Sequence, residues 1–272
     1  MKKTMMLLFM AAVFLLTGCG APQLKEDSAA DLFGCKAFLL DKGLSSTAVT
    51  DLYLKETEKG KAEGYTPVIL ALDRRVREMA EINISEFDSP EEFRESVLSD
   101  TEGGRQLLDE GFEQLSEGFG VEFGFNPFAE DDAELDALVR ETAAHSSHEL
   151  LSVKESESMM FDGEGVYLVR VPTTNPWEVT AWLPFCGWNE CPAVEDMVKI
   201  CRFWYEEYGA LPAFISGDMM MFLLDRPISD KQTAREISRQ HAAFCSEFLW
   251  MTGLDYQTAE IMTSSVWTFW WD

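Results

Sequence analysis

Tyr65-Thr66-Pro67-Val68-Ile69-Leu70-Ala71-Leu72 is the stretch that most limits the folds open to this chain. It is apolar and partly β-branched, and Pro67 stands at its opening edge, where a missing N–H costs least. The run reads as a buried strand, and a buried strand requires a sheet with cover. Helix signals surround it. Asp73 can cap a helix through Val76, Met79, Ala80 and Ile82, and Ser89-Pro90-Glu91-Glu92 is a second start, with cap, proline and early acids. Asp131 and Asp132 open a short helix through Leu135, Leu138 and Val139.

The later part repeats the alternation. Val166 to Val171 alternates as a strand and is closed by Pro172, and Asn175-Pro176-Trp177-Glu178 begins a short helix ending near Pro184. Pro192 opens a longer helix to about Tyr208, with Gly209 as its stop. Ala213–Ser216 and Met219–Leu224 flank Gly217-Asp218 as a hairpin, and Ser229 caps a helix through Ile237, His241 and Phe244. Val266-Trp267-Thr268-Phe269-Trp270-Trp271-Asp272 is a strand-like aromatic run. The order predicts an α+β fold, a mixed sheet with flanking helices in two subdomains.

Residues 32–150 form the expected N-terminal α/β region, 151–164 a linker or surface loop, and 165–272 a C-terminal domain. All eight Trp lie between Trp177 and Trp271. Such rings build a dense core or a recognition surface. Residues 103–128 are rich in Gly and Phe at irregular spacing, which predicts turns packed by aromatic side chains.

Ahead of these elements, Lys2 and Lys3 precede an apolar segment from Met5 to Leu16, followed by Leu16-Thr17-Gly18-Cys19. The segment is too short to span a bilayer as a helix, which takes ~20 residues. The layout is that of an export signal, and it resembles the bacterial lipoprotein signal. That resemblance implies a signal peptide over 1–18, lipid such as palmitate on Cys19, and a flexible tether over 19–31. It places the protein at the cell membrane, lipid-anchored on its extracytoplasmic face.

The chain has 22 basic against 48 acidic residues, a net charge of −26. Loss of residues 1–18 would remove only Lys2 and Lys3 among charged residues, leaving 20 basic against 48 acidic, or −28. This charge excludes nucleic acid as a partner, because phosphate binding depends on cationic neutralisation. The lipid is then the sole expected link to the membrane. With Cys19 lipidated, five of six thiols remain (Cys35, Cys186, Cys191, Cys201 and Cys245), and inert burial is the ordinary fate of such groups.

Asn175-Pro176-Trp177-Glu178, Gly187-Trp188-Asn189-Glu190-Cys191-Pro192, Trp204-Tyr205-Glu206-Glu207-Tyr208-Gly209-Ala210 and Phe269-Trp270-Trp271-Asp272 occur in this order. Together they resemble a bacterial family known as domain of unknown function 4253, over about residues 165–272. The resemblance implies a shared fold and brings no reaction, cofactor or catalytic residue. Cys186 stands where a glycine is expected.

Trp188, Asn189, Glu190 and Cys191 are the strongest local candidates for a binding or functional loop, set just before a helix whose N–H groups can bind an anion or activate a thiol. The structural alternative has Asn189 and Glu190 capping that helix while Trp188 plugs the core, and it is the favoured reading. Cys186, Cys191, His241 and Cys245 could supply four zinc ligands, but the spacings are weakly diagnostic and no metal or other cofactor is expected. His241 is also a candidate base. No Gly-x-Ser-x-Gly, His-Glu-x-x-His, Walker-type or EF-hand loop is present. The leading expectation is a membrane-anchored module binding an envelope protein or a small ligand, not an enzyme. The alternative is a hydrolase-like or thiol-dependent enzyme using Glu190, Cys191 and His241.

Overall fold

The computed structural model describes residues 24–27, 34–117 and 126–272. The signal segment, Cys19 and most of the tether lie outside the described residues, as do Gly118, Phe119, Gly120, Phe123, Gly124 and Phe125.

Among the described residues, seven strands make one mixed sheet. They are β1 (Lys25–Glu26), β2 (Lys36–Leu39), β3 (Thr66–Asp73), β4 (Gly163–Val171), β5 (Leu211–Ile215), β6 (Met219–Leu223) and β7 (Val266–Trp270), in the spatial order β1-β2-β4-β3-β5-β6-β7. The apolar run becomes β3, the middle strand, antiparallel to β4 and parallel to β5, with all eight residues buried. Val68 to Leu72 offer no polar side chain to either face, so both faces need cover. Val68, Leu70 and Leu72 enter one apolar layer, and Ile69 and Ala71 the other. Full burial of each large side chain contributes about 1.5–3 kcal/mol. This makes β3 the strand on which both layers depend.

The second layer is built by α1 (Ser46–Glu63) and α6 (Val153–Met159), whose Val49, Leu52, Tyr53 and Val153 meet Ile69, Leu168 and Phe214. A buried ion pair ties this layer to the sheet. Arg170 on β4 donates to the Glu56 carboxylate on α1 from Nε at 2.8 Å and from Nη2 at 2.6 Å. The Tyr65 hydroxyl donates to the same Glu56 oxygen at 2.7 Å. The opposite layer holds α2 (Arg74–Ile84), α3 (Pro90–Val97), α7 (Val179–Trp182), α8 (Val194–Tyr208) and α9 (Lys231–Phe244), with α4 (Gly104–Glu117) packed on α8 and α9. Two further helices, α10 (Glu247–Thr252) and α11 (Leu254–Thr263), follow α9, and α5 (Asp132–Thr142) packs on α11.

The α+β class and the flanked mixed sheet hold. The two expected subdomains, however, meet in one sheet, because β3 from the first half sits between β4 and β5 of the second. Residues 151–164 are correspondingly not a simple linker. Ser152 and Glu155 form a reciprocal capping box that starts α6 there, and β4 begins at Gly163. Within the expected tether, Lys25–Glu26 adds a short strand to β2. Gly104 to Glu117 is a helix and not aromatic turns; Phe112, within it, packs edge-on against Phe128 at 5.8 Å. The cap of α9 is Asp230, whose carboxylate accepts the Thr233 N–H, and not Ser229.

The tryptophans serve mainly the core. Trp204 is fully buried, with ring centroids of Phe222, Phe244, Trp267, Phe269 and His241 at 4.9–5.6 Å. Its indole N–H donates to Gln240 Oε1 at 2.9 Å, which removes the cost of burying that donor.

Candidate functional site

The loop between α7 and α8 carries Trp188, Asn189, Glu190 and Cys191, and it ties distant segments together. Gly187 at φ +91° and Asn189 at φ +46° turn it tightly. Asn83 on α2 donates from Nδ2 to the Pro184 and Cys186 carbonyls at 2.9 and 2.8 Å. Asn189 Nδ2 donates to the Asp272 carbonyl at 2.5 Å, and Ser246 Oγ donates to the Glu190 carboxylate at 2.8 Å. Neither Asn189 nor Glu190 caps α8, whose cap is Ala193 without a side-chain hydrogen bond. Both residues stand too far ahead of that cap to reach the first free N–H groups. Trp188 does pack against the core, with the Arg75 guanidinium 4.8 Å above its ring.

The thiols beside this loop are free and buried. Cys186 lies within hydrogen-bond reach of Cys191 and close to Cys201, and burial raises the pKa of both Cys186 and Cys201. Cys245, donating to the Trp270 carbonyl at 3.0 Å, is pushed up to about 12, again chiefly by burial. A thiol held protonated is a poor nucleophile and a poor ligand. Among the described residues, no group of three or more His, Cys, Asp or Glu is placed to hold a metal ion. No hydrogen bond joins Glu190, Cys191 and His241. Glu190 is held by Ser246, and His241 Nε2 has no partner.

His241 instead lines a separate pocket of about 260 Å³. The pocket lies beside β7, the edge strand, under α10 and α11 and against the segment that follows α5. Its inner wall is aromatic. The rings of Trp267 and Phe269 each lie 4.7 Å from the His241 imidazole. His241 is only 8% exposed, and this apolar surrounding depresses its pKa to about 3, leaving a neutral ring. Both His241 Nε2 and Trp267 Nε1 are buried without a hydrogen-bond partner.

The backbone of β7 also turns polar groups towards the pocket side of the sheet edge. The Leu224 N–H donates to Ser265 and the Trp271 N–H to the Asp218 carbonyl, each at 2.9 Å. This phase turns the Ser265 carbonyl and the N–H and C=O of Trp267 and Phe269 towards β6, and those of Val266, Thr268 and Trp270 outwards, while the Ser265 N–H donates to His148 Nδ1 at 3.3 Å. Val266 closes both groups on Ser264 Oγ, and the Trp270 carbonyl takes Cys245. Thr268 is left with its backbone N–H and C=O facing out from the sheet edge, and it lines the pocket.

The mouth carries acids. Glu141 at the end of α5 and Glu260 on α11 are both exposed at the rim, with Tyr256 between their fields. Glu260 raises the pKa of the Tyr256 hydroxyl, helped by burial and by Glu141, and partial burial raises that of Glu260 itself. The rim is held in place by polar ties. Ser264 Oγ donates to the Ser147 carbonyl, Thr263 Oγ1 to Thr142 Oγ1 at 3.1 Å, and His148 Nδ1 meets Ser265 Oγ at 3.0 Å.

Of the sequence candidates, His241 and Cys245 line this pocket; none of Trp188, Asn189, Glu190 and Cys191 does, although Glu190 is tied to Ser246, the residue after Cys245. Glu141, Tyr256, Glu260, Trp267 and Thr268 escape sequence reading because they come from three separate elements with no common spacing. The one available signal was the aromatic run at Val266–Trp271.

Residues 167–272 match the model of the family described as Domain of unknown function (DUF4253). The matched segment runs from within β4 through β7, so it includes His241, Glu260 and Thr268 but not Glu141. No curated protein and no solved structure matches the chain. No helix among the described residues is long and apolar enough to cross a membrane.

Proposed function

We propose that this chain is a ligand-binding lipoprotein of the cell envelope. Lipid on Cys19 would hold it at the extracytoplasmic face, and the pocket beside β7 would take a small molecule. One observation carries the reading: two buried polar atoms without a partner, His241 Nε2 and Trp267 Nε1, belong to residues lining one pocket. A buried polar group without a partner costs about 1–3 kcal/mol, so an occupant that satisfied even one would gain accordingly. The pocket measures about 260 Å³. It therefore suits a compact ligand of similar size, and a macromolecule could insert no more than a side chain.

The test is a fragment screen on the full chain labelled with 5-fluorotryptophan. Fluorine spectra resolve the eight indoles, and Trp267→Phe assigns the relevant line. Binding fragments are expected to shift Trp267 and to leave Trp177, on the far side of α8, unmoved. A screen whose binders shift other lines but never Trp267 would overturn the reading.

A further inference from the structure

We propose that the pocket beside β7 selects a small organic cation, an ammonium group carried on an apolar or aromatic body. The inference rests on the ligand-binding reading above and adds the charge class. Its ground is the arrangement of charge around one opening and of an unpartnered buried acceptor behind it. The titratable side chains lining the pocket are Glu141, Glu260, Tyr256, His145, His241 and Cys245; no Lys or Arg is among them. Neither Glu141 nor Glu260 forms an ion pair with any described residue.

Inside the rim, the wall changes from acid to ring. Trp267 and Phe269 are only 3% and 2% exposed, so they back the wall as apolar cover, while the unpartnered His241 Nε2 is an acceptor that an ammonium N–H can meet. His241 adds a buried, neutral ring with an unpartnered Nε2, so the interior carries no positive charge to oppose a cation. An anion would face the reverse: two carboxylates at the mouth and no cationic group behind them. The net charge of −26 acts in the same direction over longer range.

The experiment compares three probes of one size on the fluorotryptophan-labelled full chain at pH 7.5: benzylammonium, benzyl alcohol and benzoate. Benzylammonium is expected to shift Trp267 with at least ten-fold higher affinity than the alcohol, and benzoate not to bind. The paired change Glu141→Gln and Glu260→Gln should bring benzylammonium to the alcohol's affinity, while the unliganded spectrum stays as in the wild type. Both sites are exposed, so the fold should tolerate it. Equal or tighter binding of the alcohol or benzoate would overturn the cation inference while leaving the pocket reading intact. If none of the three moves Trp267, the cation inference falls, and the pocket reading stands or falls by the fragment screen.

Discussion

His241 makes stability depend on pH in a way that can be isolated. Its imidazole is buried among Trp204, Trp267 and Phe269, and its pKa falls from 6.5 to about 3. In the unfolded chain the same ring titrates at its ordinary value. Above pH 6.5 both states hold it neutral and there is no penalty. Below that pH the unfolded state takes up the proton and the native state does not, so stability falls until the native ring also titrates near pH 3. Each pH unit across this window costs about 1.4 kcal/mol, and pH 5 lies about 1.5 units into it, which gives about 2 kcal/mol.

The matched variant is His241→Phe. Phenylalanine keeps an aromatic ring in the cluster and removes a nitrogen that has no partner, so nothing is orphaned. Urea unfolding at pH 7.5 should place the two proteins within about 1 kcal/mol of each other. At pH 5 the wild type should have lost about 2 kcal/mol more than the variant, or about 4–8 °C in melting temperature. His145, His148 and the carboxylates are common to both and cancel. Equal losses in the two proteins would refute the claim that the native ring stays neutral.

Two other outcomes are expected. Glu56→Ala strands the buried Arg170 guanidinium and should cost about 3–5 kcal/mol in urea unfolding, whereas Glu56→Met combined with Arg170→Met should recover most of it. A double variant as unstable as the single one would show that packing and not the stranded charge sets the loss. Labelled palmitate should enter the wild-type chain in bacterial cells and not Cys19→Ala; equal labelling would remove the lipid anchor.

What the sequence made legible was local chemistry. β3, α2 with its Asp73 cap, α3 with Ser89 and Pro90, and the β5–β6 hairpin each carry their signals within a few residues. The 18-residue helix α1 was not legible, because its buried face mixes Val49, Leu52 and Tyr53 with Thr50, Glu56 and Gly60. Only the Arg170 partner, far along the chain, makes Glu56 a core residue. The Glu190–Cys191 motif attracted attention by residue type, yet its polar atoms are consumed by Ser246 and neighbouring thiols. The pocket depends on the outward phase of β7, and hydrogen-bond phase leaves no trace in residue order.

The position of β3 has a consequence for synthesis. It leaves the ribosome about ninety residues before β4 begins and well over a hundred before β5, the two strands that flank it. At about 5–20 residues per second, its apolar run waits for at least several seconds without either neighbour. During that interval it is the segment most open to aggregation and the natural target for a chaperone. The strand that holds the finished sheet together is also the nascent chain's greatest hazard.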